Sequence, residues 1–245
     1  MIKNRLTYLL TFSIFLGGLN VNAFKNGLLK DNPKSVLEKI KANYDDLSSL
    51  SLNFNYKLYK GFESDSITQE YTSEFCRIED FSYRKIGNIE LMSNSDYSVN
   101  VNHEERTIIL SNPSKVELMD ANIETSLRYC SDIKIVEQDE GLAISLIIGA
   151  KTDIPYSVIQ LKVDKNFWIQ EVVMLYSSQL NFSDDYFTKD MAYPKLVVSY
   201  GKLKKKYKDS DNLLSSERYL EITDDLIKPS AWLTGYKILD LRTQN

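Results

Sequence analysis

One histidine and two cysteines in 245 residues leave little material for metal or thiol chemistry. Zinc cages need three or four His and Cys ligands at short spacings, and His103, Cys76 and Cys130 do not provide them. Glycine is sparse at nine residues and proline at five. No Gly-rich phosphate loop and no nucleophile elbow is found, and no Pro/Gly/Ser-rich stretch marks a linker. No cofactor is therefore expected. Neither sign of charge dominates: 30 Lys and Arg against 34 Asp and Glu give a formal net charge of −4. A mildly acidic chain lacks the electrostatic footprint of a nucleic-acid binder, so no nucleic-acid partner is expected. Beyond residue 23 no apolar run approaches the ~20 residues that a membrane-spanning helix requires.

What is present begins with a basic start, Met1 to Arg5, and an almost wholly apolar run from Leu6 to Leu19. Val21-Asn22-Ala23 then puts small or aliphatic residues where a signal peptidase reads. This three-part pattern predicts export, cleavage after Ala23 and a periplasmic mature chain. The competing reading is a retained membrane anchor, for which the apolar run is short. No cysteine lies near the cleavage point, so the mature chain itself is not expected to be lipidated. In an oxidising compartment Cys76 and Cys130 either pair or stay as buried free thiols. The chain-entropy gain of such a pairing would be roughly 4 kcal/mol.

Residues 24–245 read as a single domain. Val36, Leu37, Ile40, Tyr44 and Leu47 recur at helical spacing and predict an amphipathic helix over about 33–47. The period then changes to two. Leu50, Leu52, Phe54, Tyr56 and Leu58 alternate with polar residues, and strands follow at 71–78, 81–86, 89–92, 97–101 and 107–110. Ser114-Lys115-Val116-Glu117 has the spacing of a capping box. Val116, Met119, Ile123, Leu127 and Cys130 fall on one stripe, predicting a helix, or two short ones, over 114–131. Strands resume at 133–137, 142–148, 156–163 and 167–176, with an irregular loop at 179–194. A long strand at 195–208 changes phase at Gly201, and the last strands are expected at 218–222 and 236–241. Some eleven strands against two or three helices predict a mainly β (α+β) fold. It is expected to be a single curled antiparallel sheet covered on one face by helices.

Candidate chemistry is thin. His103 lies in the turn Asn102-His103-Glu104-Glu105-Arg106 and reads as a solvated turn residue. Asp184-Asp185 and Asp224-Asp225 are adjacent acids among turn formers, whereas acid–base catalysis needs carboxylates that face each other across a cleft. Lys202, Lys204, Lys206 and Lys208 share one strand face: either a basic stripe for anionic lipid or a partner, or charges that keep a sheet edge from aggregating. The remaining signal is apolar. Leu52, Phe54, Tyr56, Val99 and Val101, joined by Phe75, are expected on one inward face, with the Val116–Met119–Ile123–Leu127 stripe over its mouth. Packed tightly this is a core; packed loosely it is a cavity for acyl chains.

The order of elements resembles the outer-membrane lipoprotein carrier family, the LolA/LolB-like fold. Residues 36–40 and 47–54 resemble that family's helix and first strand. Residues 75–84 resemble its next strand pair, 92–99 its following hairpin, and 163–172 a late hairpin. The resemblance covers about 33–200. The family's basic-proline strand end is absent, with Arg77-Ile78-Glu79-Asp80 near its place, and residues beyond about 205 are an addition. The resemblance implies an unclosed β-barrel with helices over its opening, no enzymatic activity, and a ligand of lipid or lipoprotein acyl chains carried or sensed in the periplasm; a monomer is expected, with membrane-bound donor or acceptor proteins as partners. The rival expectation is a filled-core interaction or sensor module of the cell envelope.

Overall fold

A computed structural model describes residues 33–245 except 115, 117, 119–122, 151, 186, 210–211, 224–225 and 243–245. Ala23 and Met119 lie outside the described residues. The elements in chain order are α1 (Pro33–Asp45), β1 (Ser49–Tyr59), β2 (Ile67–Ile78), β3 (Phe81–Ile86), β4 (Ile89–Ser93), β5 (Ser98–Asn102), β6 (Thr107–Ser111) and α2 (Ile123–Arg128). Then come β7 (Cys130–Gln138), β8 (Gly141–Ile148), β9 (Tyr156–Asp164), β10 (Ile169–Tyr176), β11 (Leu180–Asn181), β12 (Met191–Ala192), β13 (Lys195–Tyr200) and β14 (Lys204–Lys205). The chain ends with β15 (Leu220–Thr223), β16 (Leu226–Pro229) and β17 (Lys237–Asp240), with short 3-10 turns at Ser216–Arg218 and Ala231–Leu233. Among the described residues no helix is long and apolar enough to cross a membrane.

The fold is mainly β. Thirteen strands form one sheet in the order β17-β6-β5-β4-β3-β2-β1-β13-β10-β9-β8-β7, with β14 beside β1. The path does not close. It is mixed rather than purely antiparallel, because β17 runs parallel to β6 with Ile238 opposite Ile108. The described residues hold seventeen strands against the expected eleven, because two-residue strands such as β14 and the separate β11–β12 pair are too short to show an alternation.

Of the helix, or two short ones, expected over 114–131, the described residues show one short helix, Ile123–Arg128, and Val116 is irregular and half-buried. The physical reason lies in Ser114. Its amide donates to Ser98 Oγ at 2.8 Å, and the two hydroxyls lie 3.0 Å apart. The supposed capping residue is thus tied to β5.

The chain divides into two compact units. Of the described residues, the first comprises those within 33–43, 56–70 and 119–199, and the second those within 44–55, 71–118 and 200–242. In the first unit the alternation of β8, β9, β10 and β13 builds a layered core. Leu146 faces Ile159, Ile159 faces Met174 and Met174 faces Leu196, all buried. Burying each such side chain stabilises by about 2 kcal/mol. The α1 helix buries Val36, Leu37 and Ile40 and reaches the β9–β10 turn. Asn43 donates to the Asn166 carbonyl at 2.7 Å, and the Lys39 ammonium lies 5.4 Å from the Phe167 ring centroid. That turn is organised by Asp164, which accepts the amides of Asn166 and Trp168 at 2.8 and 2.9 Å.

The β7–β8 turn depends on Gly141, whose φ is +149°. A Cβ there would overlap the Val163 carbonyl oxygen and stand 2.8 Å from the Asp164 backbone. Backbone cannot yield as a flexible side chain can. Gly141→Ala is expected to destabilise the chain by about 2 kcal/mol or more. A urea melt followed by circular dichroism checks this, and an unchanged midpoint contradicts it.

Candidate functional site

The register of the second unit fixes what each face of the β2–β6 meander carries. Opposite residues across an antiparallel ladder share a face. Cys76 faces Tyr83, Tyr83 faces Met92, Met92 faces Val99 and Val99 faces Leu110. The adjacent row runs Phe75, Arg84, Leu91, Asn100 and Ile109. Phe75 therefore lies on the face opposite Val99 and Val101. The single inward face expected from the alternation is two faces, because alternation within a strand does not state its register against its neighbours.

The Val99 face is filled by the chain's own C-terminal segment. Cys76, Tyr83, Met92, Val99, Val101, Ile108 and Leu110 pack with Leu213, Leu214, Tyr219, Leu220 and Leu233 in one buried cluster. The covering segment is prepared locally. Asp209 accepts the amides of Leu213 and Leu214, each at 2.8 Å. Ser230 Oγ donates to the Arg218 carbonyl at 2.6 Å, and Trp232 Nε1 donates to the same carbonyl. The Arg218 guanidinium lies over the Trp232 and Tyr219 rings, 5.1 and 5.8 Å from their centroids.

One acid lies in this apolar layer. Glu90 faces Val101 and is 3% exposed. Its Oε1 lies 3.1 Å from His103 Nε2 and 3.4 Å from Lys85 Nζ, and Tyr219 donates to its Oε2 at 3.2 Å. His103 Nδ1 in turn lies 2.9 Å from the Tyr236 hydroxyl. Burial raises the Glu90 carboxyl, but the His103 hydrogen bond and the charges of Lys85, His103 and Arg218 outweigh it, so the group stays below its ordinary value. Burial, together with the Glu90 charge, pushes the Tyr83 and Tyr219 hydroxyls up. Both ring nitrogens of His103 are engaged, so this histidine is not the solvated turn residue expected from its sequence context. The cluster's evident role is to fasten the C-terminal segment to the sheet. Sequence reasoning missed Glu90, Tyr219 and Tyr236, although Glu90 shares its phase with the buried Met92 two residues on.

The opposite face is chemically mixed and buried only in part: Phe75 and Arg84 are buried, whereas Leu91, Asn100 and Ile109 are half-buried. The Arg84 guanidinium lies 5.5 Å from the Phe54 ring centroid, which puts Phe54 on the Phe75 and Arg84 side. Phe54 also meets Tyr200 edge-on at 4.9 Å. Ser73, Ser82, Ser93 and Ser98 are buried on this face. Ser93 and Ser98 pair through their hydroxyls at 2.8 Å, whereas Ser73 Oγ has no hydrogen-bond partner among the described residues. Of the expected lining residues, Leu52, Phe54 and Phe75 are buried in the second unit and Tyr56 is buried in the first. Leu127 is half-buried on α2, which packs on β8, and the Ile123 side chain lies outside the described residues.

Both cysteines are free thiols. Cys76 lies in the second unit's core beside the Tyr207 hydroxyl, and Cys130 Sγ donates to the Asp132 carbonyl at 2.8 Å. Among the described residues no group of three His, Cys, Asp or Glu could hold a metal ion.

No family model matches the chain, and no curated protein matches it. Among solved structures it is similar to an uncharacterized conserved protein from Thermus thermophilus, with 8% identity, a TM-score of 0.46, and 84% of this chain and 98% of that one covered. A LolA superfamily protein from Nitrosomonas europaea gives 12% identity and a TM-score of 0.34, covering 75% of this chain and 97% of that one. A DUF1329 family protein from Desulfovibrio piger gives 10% identity and a TM-score of 0.34 over the same shares. Likeness at this level fixes neither a cargo nor a site for this chain.

Two outcomes follow from the geometry. Glu90→Gln weakens the acceptor on which His103, Tyr219 and Lys85 converge and is expected to cost about 2 kcal/mol near neutral pH. Because the folded carboxyl is held below its ordinary value, that contribution is present above the ordinary carboxylate pKa and is lost as pH falls through the folded value. The stability gap between wild type and variant should therefore close in acid, as a series of urea melts at falling pH would show. For the thiols, burial lifts Cys76 to about 12, with a hydrogen bond from Tyr207 opposing and the charges of Asp209 and Glu74 reinforcing it. Iodoacetamide at pH 8 should leave Cys76 unmodified in the native chain and modify both cysteines in urea. A denatured chain with no reactive thiol would mean that the two are paired.

Proposed function

We propose that this chain is a non-enzymatic cell-envelope protein that binds the acyl chains of a lipid or lipoprotein. In this reading the Phe54–Phe75 face of the meander meets the cargo, and the C-terminal segment closes the other face. The observation that carries the reading is the composition of the Phe75 face. Its buried part sets Phe54, Phe75 and Leu52 beside Arg84 and four serines, one of them with an unpartnered hydroxyl. A filled core has no need of such a lining, since each buried polar group without a partner costs about 1–3 kcal/mol. Apolar walls with a few polar groups are what an amphiphile requires. Sheltering an acyl chain gains about 0.8 kcal/mol per CH₂, and transfer would involve membrane-bound donors or acceptors of the mature periplasmic chain.

A second reading has its own support. The Val99 face is closed by apolar side chains of the same polypeptide, as in a filled-core interaction or sensor module. Native mass spectrometry of the protein purified without detergent separates the two. Co-purifying lipid, together with uptake of a fluorescent fatty acid, supports the carrier. A clean apo mass with no uptake supports the module. Ser73→Leu sharpens the result. On a cargo-binding face the added bulk should lower uptake and leave the melt near wild type. In a filled layer the same bulk overpacks and costs about 1–3 kcal/mol.

A further inference from the structure

The segment after β13 is not absorbed by the reading above. Lys202, Lys204, Lys205, Lys206 and Lys208 crowd into seven residues of a chain that is acidic overall, and all five are exposed. Lys202, Lys204, Lys206 and Lys208 make no ion pair among the described residues. The backbone that carries them is fastened along its length. The Gly201 amide donates to the Asn53 carbonyl at 2.8 Å, Lys204 and Lys205 pair with Ser51 and Leu50, and the Lys206 amide donates to the Ser49 carbonyl at 3.3 Å. Tyr207 then packs against the buried cluster, and Asp209 is committed to the amides of Leu213 and Leu214. The result is a short basic strap, held at both ends, with its ammonium groups turned to solvent.

Protection of a sheet edge does not account for this density. The strand here is only two residues long, Lys204–Lys205, and one or two charges suffice to blunt so short an edge. We propose that the 202–208 strap is a docking surface for anionic phosphate headgroups at a membrane surface. The charge complementarity is local: an overall acidic chain is repelled by such a surface unless it presents this strap. Flexible ammonium groups on a fixed backbone suit a field of phosphates, whose positions vary, better than one partner carboxylate. The surface is independent of whether acyl chains bind on the Phe75 face, so either proposal stands or falls without the other.

Each lysine near an anionic surface contributes roughly a fivefold gain in partitioning, reduced by salt within a Debye length. The test is co-sedimentation of the mature chain with phosphatidylcholine vesicles, with and without one-third phosphatidylglycerol, at low and high salt. Binding is expected only to the anionic vesicles and only at low salt. A variant with Lys202, Lys204, Lys206 and Lys208 changed to Gln should lose more than a hundredfold in partitioning. A control changing Lys134, Lys162, Lys165 and Lys189 to Gln alters net charge equally and should retain most of the binding. If the strap variant does not melt like wild type, the pair Lys202→Gln and Lys208→Gln, outside the strand, replaces it with an expected loss of more than tenfold. Failure of wild type to bind anionic vesicles overturns the proposal. So does equal loss in control and strap variants, or capture of the strap by an acidic protein without vesicle binding.

Discussion

The Glu90 carboxylate is a charge buried among apolar side chains on one sheet face, and that layer can be dry only if donors are brought to it. Lys85 and His103 come from the meander itself, but Tyr219, and Tyr236 behind His103, come from the far end of the chain. The same segment supplies Leu213, Leu214, Leu220 and Leu233 to the layer. Without it, Tyr83, Met92, Val99, Val101 and Leu110 would face water on a sheet of short strands, which is marginal alone. The residues beyond about 205 are therefore an integral half of the second unit's core and not an appendage. The polar contact gives this packing its direction. Apolar burial holds the segment down, and the Tyr219–Glu90 bond, with Arg218 seated over its own two aromatic rings, specifies where it sits.

Once one face is closed in this way, the two faces of the meander stand in different chemical positions. The Val99 face packs apolar side chains around one buried acid, Glu90, which is held by His103, Lys85 and Tyr219. The Phe75 face buries Phe54, Phe75, Arg84 and four serines, whereas Leu91, Asn100 and Ile109 further along it are half-buried, and it mixes aromatic rings with a guanidinium and several hydroxyls. Burial of polar groups is the informative departure on any protein face. The departure here falls on the side that the C-terminal segment does not cover, which is why cargo is assigned to it.

The strands were legible from their period of two, and so were the Asp164 turn and the irregularity at Gly201. The pairing of faces was not legible. Phe75 and Val99 each alternate correctly within their own strands, but only the register assigns Phe75 to the face of Arg84, Leu91 and Asn100 and Val99 to the face of Tyr83 and Met92, and a shift of one residue exchanges the sets. The helix over 114–131 failed for a related reason: Ser114 has the chemistry of a cap, and a serine on a neighbouring strand took its hydrogen bonds. His103 was misread because its partners Glu90 and Tyr236 are 13 and 133 residues away. Turn composition speaks only of neighbours in sequence.

Gly201 shows how a local irregularity divides two roles along one stretch of chain. Before it, the even positions of β13 are apolar, and Leu196 and Val198 are buried. After it, the even positions 202, 204, 206 and 208 are lysines. A strand that kept its phase would carry those charges onto the face that buries Leu196 and Val198, at a cost far beyond what a marginally stable domain can bear. The break prevents this. β13 ends at Tyr200, and residue 201 approaches β1 so closely that a Cβ would stand 3.0 Å from the Asn53 carbonyl oxygen. The chain resumes pairing at Lys204 with its lysines outward, and Tyr207, at an odd position, returns to the core. A glycine at that one position lets a core strand and a basic strap share a continuous backbone.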